Sequence, residues 1–148
     1  MTNFLVTNGD IFNFIVHAIV NPVNTVGVMG AGLAKQFADR YPQIIRPYRH
    51  ACEAGLMTIG KVQWVNAGDK WIVNFPTKTH WKYKSHYQDI VLGLADLSRN
   101  PYLLDTIAIP ALGCGLGGLD FAKVLPLIKA VLRYSSFDQV YIVVKGEK

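Results

Sequence analysis

Cysteine, histidine and long apolar runs are all scarce in this chain, and each scarcity removes a class of protein. Only Cys52 and Cys114 occur in 148 residues, and their separation is not the C-x-x-C spacing of a metal or redox site. A disulfide-stapled secreted fold is excluded, and two reduced thiols of an intracellular protein are expected. His17, His50, His80 and His86 follow no ligand pattern, so neither a structural metal nor another cofactor is expected. No apolar stretch approaches the roughly 18 residues of a membrane-crossing helix. Met1-Thr2-Asn3-Phe4 opens no secretory leader. The expectation is a soluble, monomeric, cytoplasmic protein without membrane contact. Repeats and low-complexity tracts are also missing, and the length leaves room for one domain, 1–148.

What is present is a core and a modest basic excess. Hydrophobic residues make up 51% and aromatic residues 11% of the chain, spread along its length, which excludes a disordered chain. A net charge of +5 and a pI near 9.3 favour contact with polyanions. Lys78, Lys82 and Lys84 gather part of that charge around His80, Trp81 and Tyr83, in a segment without helical or strand periodicity. Aromatic rings between cations suit stacking on exposed nucleobases beside backbone phosphates, although rings in a loop also serve as satellite packing.

The element pattern alternates. Strands are expected at residues 4–7, 18–23, 62–65, 71–75, 106–112 and 139–144, and helices at 31–40, 43–53, 86–98 and 120–133. Asn66-Ala67-Gly68-Asp69-Lys70 is a hairpin signal, so an antiparallel pair joins a mostly parallel, mixed sheet of about six strands. Gly93 interrupts the apolar stripe of its helix as a weak point. Lys35, Arg46 and Arg49 are read as solvated helix faces.

Two strand ends run into glycine-spaced crossings followed by helices, at Gly27, Gly30 and Gly32 and again at Gly113, Gly115, Gly117 and Gly118. Such loops turn N–H groups toward one point, and a following helix adds its positive dipole end, which suits a diphosphate. Neither loop is a P-loop or a G-x-G-x-x-G fingerprint, and tight turns alone also use glycine. In an open α/β sheet both loops fall at the C-terminal edge, where ligands bind.

Three motifs carry a resemblance: Val23-Asn24-Thr25-Val26-Gly27-Val28-Met29-Gly30, Asn74-Phe75-Pro76-Thr77-Lys78, and Pro110-Ala111-Leu112-Gly113-Cys114-Gly115-Leu116-Gly117-Gly118-Leu119-Asp120. The chain resembles the macrodomain family of ADP-ribose-binding modules, and within it the DarG antitoxin macrodomains and the terminal ADP-ribose protein glycohydrolases. The resemblance implies a three-layer α/β/α fold and an ADP-ribosyl glycohydrolase. It implies ADP-ribose contacts at Asp10, Ile11, Asn24, Val26, Gly27, Met29, Gly30, Gly32, Thr77, Gly113, Cys114, Gly115, Leu116, Gly117 and Gly118. Asp10 matches the acid that accepts the adenine amino group, and Lys78 matches a catalytic lysine. A cap of the turn after residue 10 is the alternative use of Asp10.

In the protein-directed relatives a catalytic Asp follows Gly-Cys-Gly-Leu, whereas this chain has Gly117 there, as DarG does. Loss of that acid is expected to widen the site for a bulky base, while Asp120 serves as a helix cap. Cys114 is read as a small residue between glycines rather than a nucleophile. The implied substrate is ADP-ribosylated thymidine in single-stranded DNA, with His80, Trp81, Lys82 and Tyr83 touching the strand. The implied partner is a DNA ADP-ribosyltransferase toxin. A protein glutamate glycohydrolase or a noncatalytic ADP-ribose reader are the other outcomes.

Overall fold

The structure, a computed structural model, describes residues 1–145. Six strands form one sheet: β1 (Asn3–Asn8), β2 (Ala18–Asn24), β3 (Gln63–Asn66), β4 (Trp71–Lys78), β5 (Thr106–Pro110) and β6 (Gln139–Val144). Their order is β1-β6-β5-β2-β4-β3, parallel throughout except for the antiparallel β3–β4 hairpin at one edge. The helices are α1 (Gly32–Arg40), α2 (Ile45–Glu53), α3 (Tyr87–Leu97) and α4 (Phe121–Leu132).

Strand alternation divides the core into two layers. Ala18, Val20, Val73, Phe75, Ile107, Ile109, Val140 and Ile142 face one way and pack with Ile90 and Leu94 of α3 and Val124 and Ile128 of α4. Their neighbours Ile19, Ile72, Ala108 and Val143 face the other way, against Phe37 of α1 and Ile44. The expected three-layer mixed sheet is therefore the one observed.

Two local expectations change. The helix expected from residue 43 begins as a 3-10 turn, Pro42–Ile44, before α2. Strand β4 continues to Lys78 because β2 pairs with it that far, up to Asn24 against Lys78, with a register shift at Val23/Asn24. Gly93 has a packing purpose as well: a β-carbon there would run into the Phe75 ring, so glycine lets α3 lie close on β4.

The sheet order reverses between β5 and β2, where open α/β sheets bind ligands. That ladder is also short. It comprises Ala18 with Ile107 and Ile19 with Ala108, although β2 continues to Asn24 and β5 to Pro110. The strands part company in their C-terminal halves, and each leads into one of the two glycine loops.

Candidate functional site

The first loop, residues 25–31, is shaped by a buried side chain. Asn24 accepts from the Val26 N–H (3.1 Å) and from the Tyr48 hydroxyl (2.8 Å), while its own Nδ2 donates to the Val28 carbonyl (2.8 Å). Tyr48 is fully buried and its pKa is pushed up by burial, so it stays a phenol and a donor. Both ends of the Asn24 amide are thus engaged within the fold. Met29, half-buried, packs into two of the core clusters, and its sulfur accepts from Asn21 Nδ2 (3.6 Å). Gly27 has φ +88 and Gly32 φ +59, angles that glycine tolerates best.

The second loop, after β5, closes on its own backbone: Cys114 N–H to the Ala111 carbonyl (3.1 Å), Gly118 N–H to Gly115 (3.1 Å) and Leu119 N–H to Gly113 (2.9 Å). Gly113 has φ +73, and a β-carbon there would sit 2.8 Å from Leu119 Cδ1. A β-carbon at Gly117 would collide with Ser85 Oγ and the Gly113 carbonyl. This corrects the expectation that glycine at 117 widens the cleft, because the missing side chain would point into the loop's own packing. Gly115 alone in this loop faces open space. Leu116, well exposed, reaches toward the first loop, with its Cδ1 3.8 Å from the β-carbon position of Gly32. Burial pushes the Cys114 thiol up to about 11, with Asp120 adding to the effect, so it is a protonated filler. Asp120 caps α4 through the Ala122 N–H (3.0 Å), as expected.

Lys78 closes β4 at the same edge. Its ammonium donates to the Trp81 carbonyl (3.2 Å). Partial burial holds its pKa below the ordinary lysine value, and the nearby Lys84 charge lowers it further. Lys82 instead lies over the Trp81 ring, 5.2 Å from its centroid. Lys84 also runs across the second loop, its Cδ and Nζ 3.2 and 3.6 Å from the β-carbon position of Gly118.

The segment 79–86 forms a lip tied to both loops. Thr25 donates from its N–H (3.3 Å) and hydroxyl (2.8 Å) to the Thr79 carbonyl, and the Ser85 N–H donates to the Gly117 carbonyl (3.0 Å). His80 lies 4.7 Å from Trp81 and 5.5 Å from Tyr83 between ring centroids. Trp81 and Tyr83 are 51% and 61% exposed and both tilt against His80, so they do not serve as core packing. Ser85 is buried, and its hydroxyl lacks a partner among the described residues.

Asp10 stands at the C-terminal end of β1, on the same sheet edge. One carboxylate oxygen accepts from the Phe12 N–H (3.0 Å), and the other lies 3.6 Å from Arg40. The capping use of Asp10 is therefore realised. The residue also borders a hollow of about 470 Å³ with Gly9, Phe14 and Tyr141. Ile11 and Thr77 are buried, Ile11 in the core and Thr77 with its hydroxyl toward the Val23 carbonyl (3.5 Å), so neither turns its side chain to the cleft.

Sequence reasoning missed Tyr48, Ser85 and the seat of Lys84. Nothing in their local pattern distinguishes them, because each acts on a loop distant in the chain. Among the described residues no three His, Cys, Asp or Glu side chains gather as a metal site, and no helix is long and apolar enough to cross a membrane.

Two glycine loops at the reversal point of a mixed six-stranded sheet, with acid and lysine on the same edge, define a class, and the comparisons agree with it. Residues 20–128 match the macro domain, and the chain belongs to that family. It is 45% identical over 123 residues to the DNA ADP-ribosyl glycohydrolase of Mycobacterium tuberculosis, covering 79% of this chain and 35% of that protein. It is 37% identical over 140 residues to the protein of that description from Thermus aquaticus, covering 90% and 39%. The chain thus spans little more than a third of the length of these relatives. The macrodomain of Mycobacterium tuberculosis DarG superposes with a TM-score of 0.89 at 37% identity, covering 98% of this chain and all of that one. Thermosipho africanus DarTG in complex with ADP-ribose gives 0.90 at 32%, covering 100% of this chain and 43% of that one.

Proposed function

We propose that this domain hydrolyses the bond joining ADP-ribose to thymidine in single-stranded DNA. The observation that carries the reading is Lys78, a lysine of lowered pKa at the edge where both glycine loops end, beneath a lip of exposed rings. The relatives described as DNA ADP-ribosyl glycohydrolases support the substrate class.

The diphosphate lies between the two loops, on N–H groups at Gly27, Gly30 and Gly32 and at Gly113, Gly115, Leu116 and Gly117, with Lys84 as a cation over Gly118. The N–H groups of Val26, Cys114 and Gly118 are bonded to Asn24, Ala111 and Gly115 and shape the loops instead. Adenine lies by Asp10 and the Ile11 backbone. Asn24, Met29 and Thr77 serve the ligand through the loop backbone, since their side chains are turned inward or engaged within the fold. The distal ribose then presents its anomeric carbon to Lys78, and the thymine leaves past His80, Trp81, Lys82 and Tyr83. A lysine below its usual pKa holds more neutral amine, which suits attack on the anomeric carbon: the Nζ–C bond forms as the bond to the thymine nitrogen breaks. That nitrogen keeps the bonding pair and takes up the proton the new adduct sheds, and water then cleaves the adduct to free ADP-ribose and Lys78.

In this reading the chain acts as one monomeric cytoplasmic macrodomain and as the antitoxin of a DNA ADP-ribosyltransferase. The Thermosipho africanus relative described as a transferase–glycohydrolase fusion supports that pairing. The test offers ADP-ribosylated single-stranded DNA and ADP-ribosylated protein across a salt series, to the wild type and to Trp81→Ala. DNA cleaved faster, with a preference that weakens in salt and in Trp81→Ala, is the expected result; a stacked base is worth about 1–3 kcal/mol. Faster cleavage of the protein at every salt concentration makes it a protein glycohydrolase, and binding without turnover makes it a reader.

A further inference from the structure

Behind the first glycine loop lies a second hollow, of about 300 Å³, lined by Thr25, Val26, Gly27, Arg49, Cys52 and Glu53. None of its helical residues belongs to the three sequence motifs, and Arg49 is one of the cations the sequence assigns to solvent. Its side chain does not simply leave the surface: Arg49 Cγ lies 3.9 Å, and Cys52 Cβ 3.7 Å, from the β-carbon position of Gly27. Lys35 spends its charge on Asp39 at 2.9 Å, whereas Arg49 has no carboxylate within ion-pairing distance among the described residues. The hollow also adjoins the lip, because Thr25 lines it and is hydrogen-bonded to Thr79.

We infer that this hollow is a subsite for the nucleotide flanking the modified thymidine, with Arg49 holding the connecting phosphate and Val26 and Gly27 forming the floor for its sugar or base. The inference rests on the DNA reading of the crevice. A strand whose modified base enters the crevice beside Lys78 must continue on both sides of it, and the lip can contact only one of them. The Thr25–Thr79 contact makes the Arg49 hollow the next surface reached from residues 79–83. A guanidinium suits a phosphate because its N–H groups form a fork that matches two oxygens. Cys52 is no rival as the reactive group, since burial raises its pKa and keeps it a thiol. Glu53 is the one carboxylate lining the hollow, and it sets a limit on how tightly an anion is held there.

The test compares three substrates: ADP-ribosylated thymidine alone, the same nucleoside extended by one nucleotide on its 5′ side, and the same extended on its 3′ side. In the wild type one of the two extensions raises kcat/KM. Arg49→Gln removes that gain, about tenfold for one charge-assisted phosphate contact. The isolated nucleoside keeps its rate. On longer strands the log–log salt slope of Arg49→Gln falls by about 0.7, the value for one phosphate contact to a single strand. Glu53→Gln moves the other way and increases the gain. Arg49 is exposed and carries no ion pair, so the variants stay folded. Equal gains in wild type and Arg49→Gln, or no gain from either extension, overturn the subsite while leaving the hydrolase reading intact. Absence of turnover on all three substrates overturns the hydrolase reading, and the subsite with it.

Discussion

Residues 25–31 and 113–118 leave the same edge of the sheet on either side of the β5–β2 reversal, yet the first loop is held by side chains and the second by their absence. Asn24 and Tyr48 tie the first loop from below, through contacts of 2.8 to 3.1 Å. The second loop is closed by its own backbone and packed so tightly that Gly113 and Gly117 have no room for a β-carbon. The two solutions fail differently when changed. The side-chain-held loop loses hydrogen bonds, and the backbone-held loop suffers collisions.

The largest expected stability effect is at the second loop. Gly117→Asp should destabilise the fold by about 3 kcal/mol, at the upper end of overpacking costs, in chemical denaturation. It should also abolish ADP-ribose binding instead of creating a protein-directed enzyme. Gly115→Ala is the internal control, with open space at its β-carbon position and an expected cost below about 0.5 kcal/mol. Equal costs at the two positions would break the contrast.

Next is Asn24→Ala in the first loop. It strands the Val26 N–H and the Val28 carbonyl, while the Tyr48 hydroxyl keeps the backbone carbonyl of residue 24 (2.9 Å), and should cost about 2 kcal/mol, with weaker ADP-ribose binding from a loosened loop. A Tyr48→Phe variant removes only the hydroxyl's contacts with the Asn24 carbonyl and amide oxygens and should cost less than Asn24→Ala. An Asn24→Ala protein as stable as wild type, with unchanged affinity, would mean the loop is held by something else.

Smaller again is an effect on pH dependence. The Lys84 charge disfavours a second positive charge on Lys78, so Lys84→Gln should raise the Lys78 pKa. If neutral Lys78 is the attacking form, the rising limb of kcat/KM with pH then moves to higher pH, and the activity at neutral pH falls. A limb that moves down, or stays in place, would show that Lys84 acts only on the diphosphate.

The contrast between the loops also marks what sequence could convey. Six strands, four helices and the hairpin edge were legible because alternation and helical spacing are local, and the register of β2 against β4 then carried Lys78 to the crevice edge. Glycine spacing located both loops without distinguishing a glycine needed for its φ angle, such as Gly27, from one needed for clearance, such as Gly117. That distinction depends on Ser85, which is remote in sequence and seated by the lip. Arg49 shows the same limit: its helical position reads as solvent-facing, and only packing of α2 against the first loop brings it to a hollow. The capping use of Asp10 was legible from its place before a turn, and the cap is formed.

Lys78 is proposed to act on the anomeric carbon of a ligand that the glycine loops hold without it. The most direct test of that role is Lys78→Ala, measuring release of ADP-ribose from modified single-stranded DNA and, separately, the Kd for free ADP-ribose by calorimetry. Turnover should fall by at least about a thousandfold, roughly 4 kcal/mol of barrier, while the Kd changes by less than about threefold. Turnover equal to wild type, or a loss of affinity as large as the loss of rate, would contradict that role.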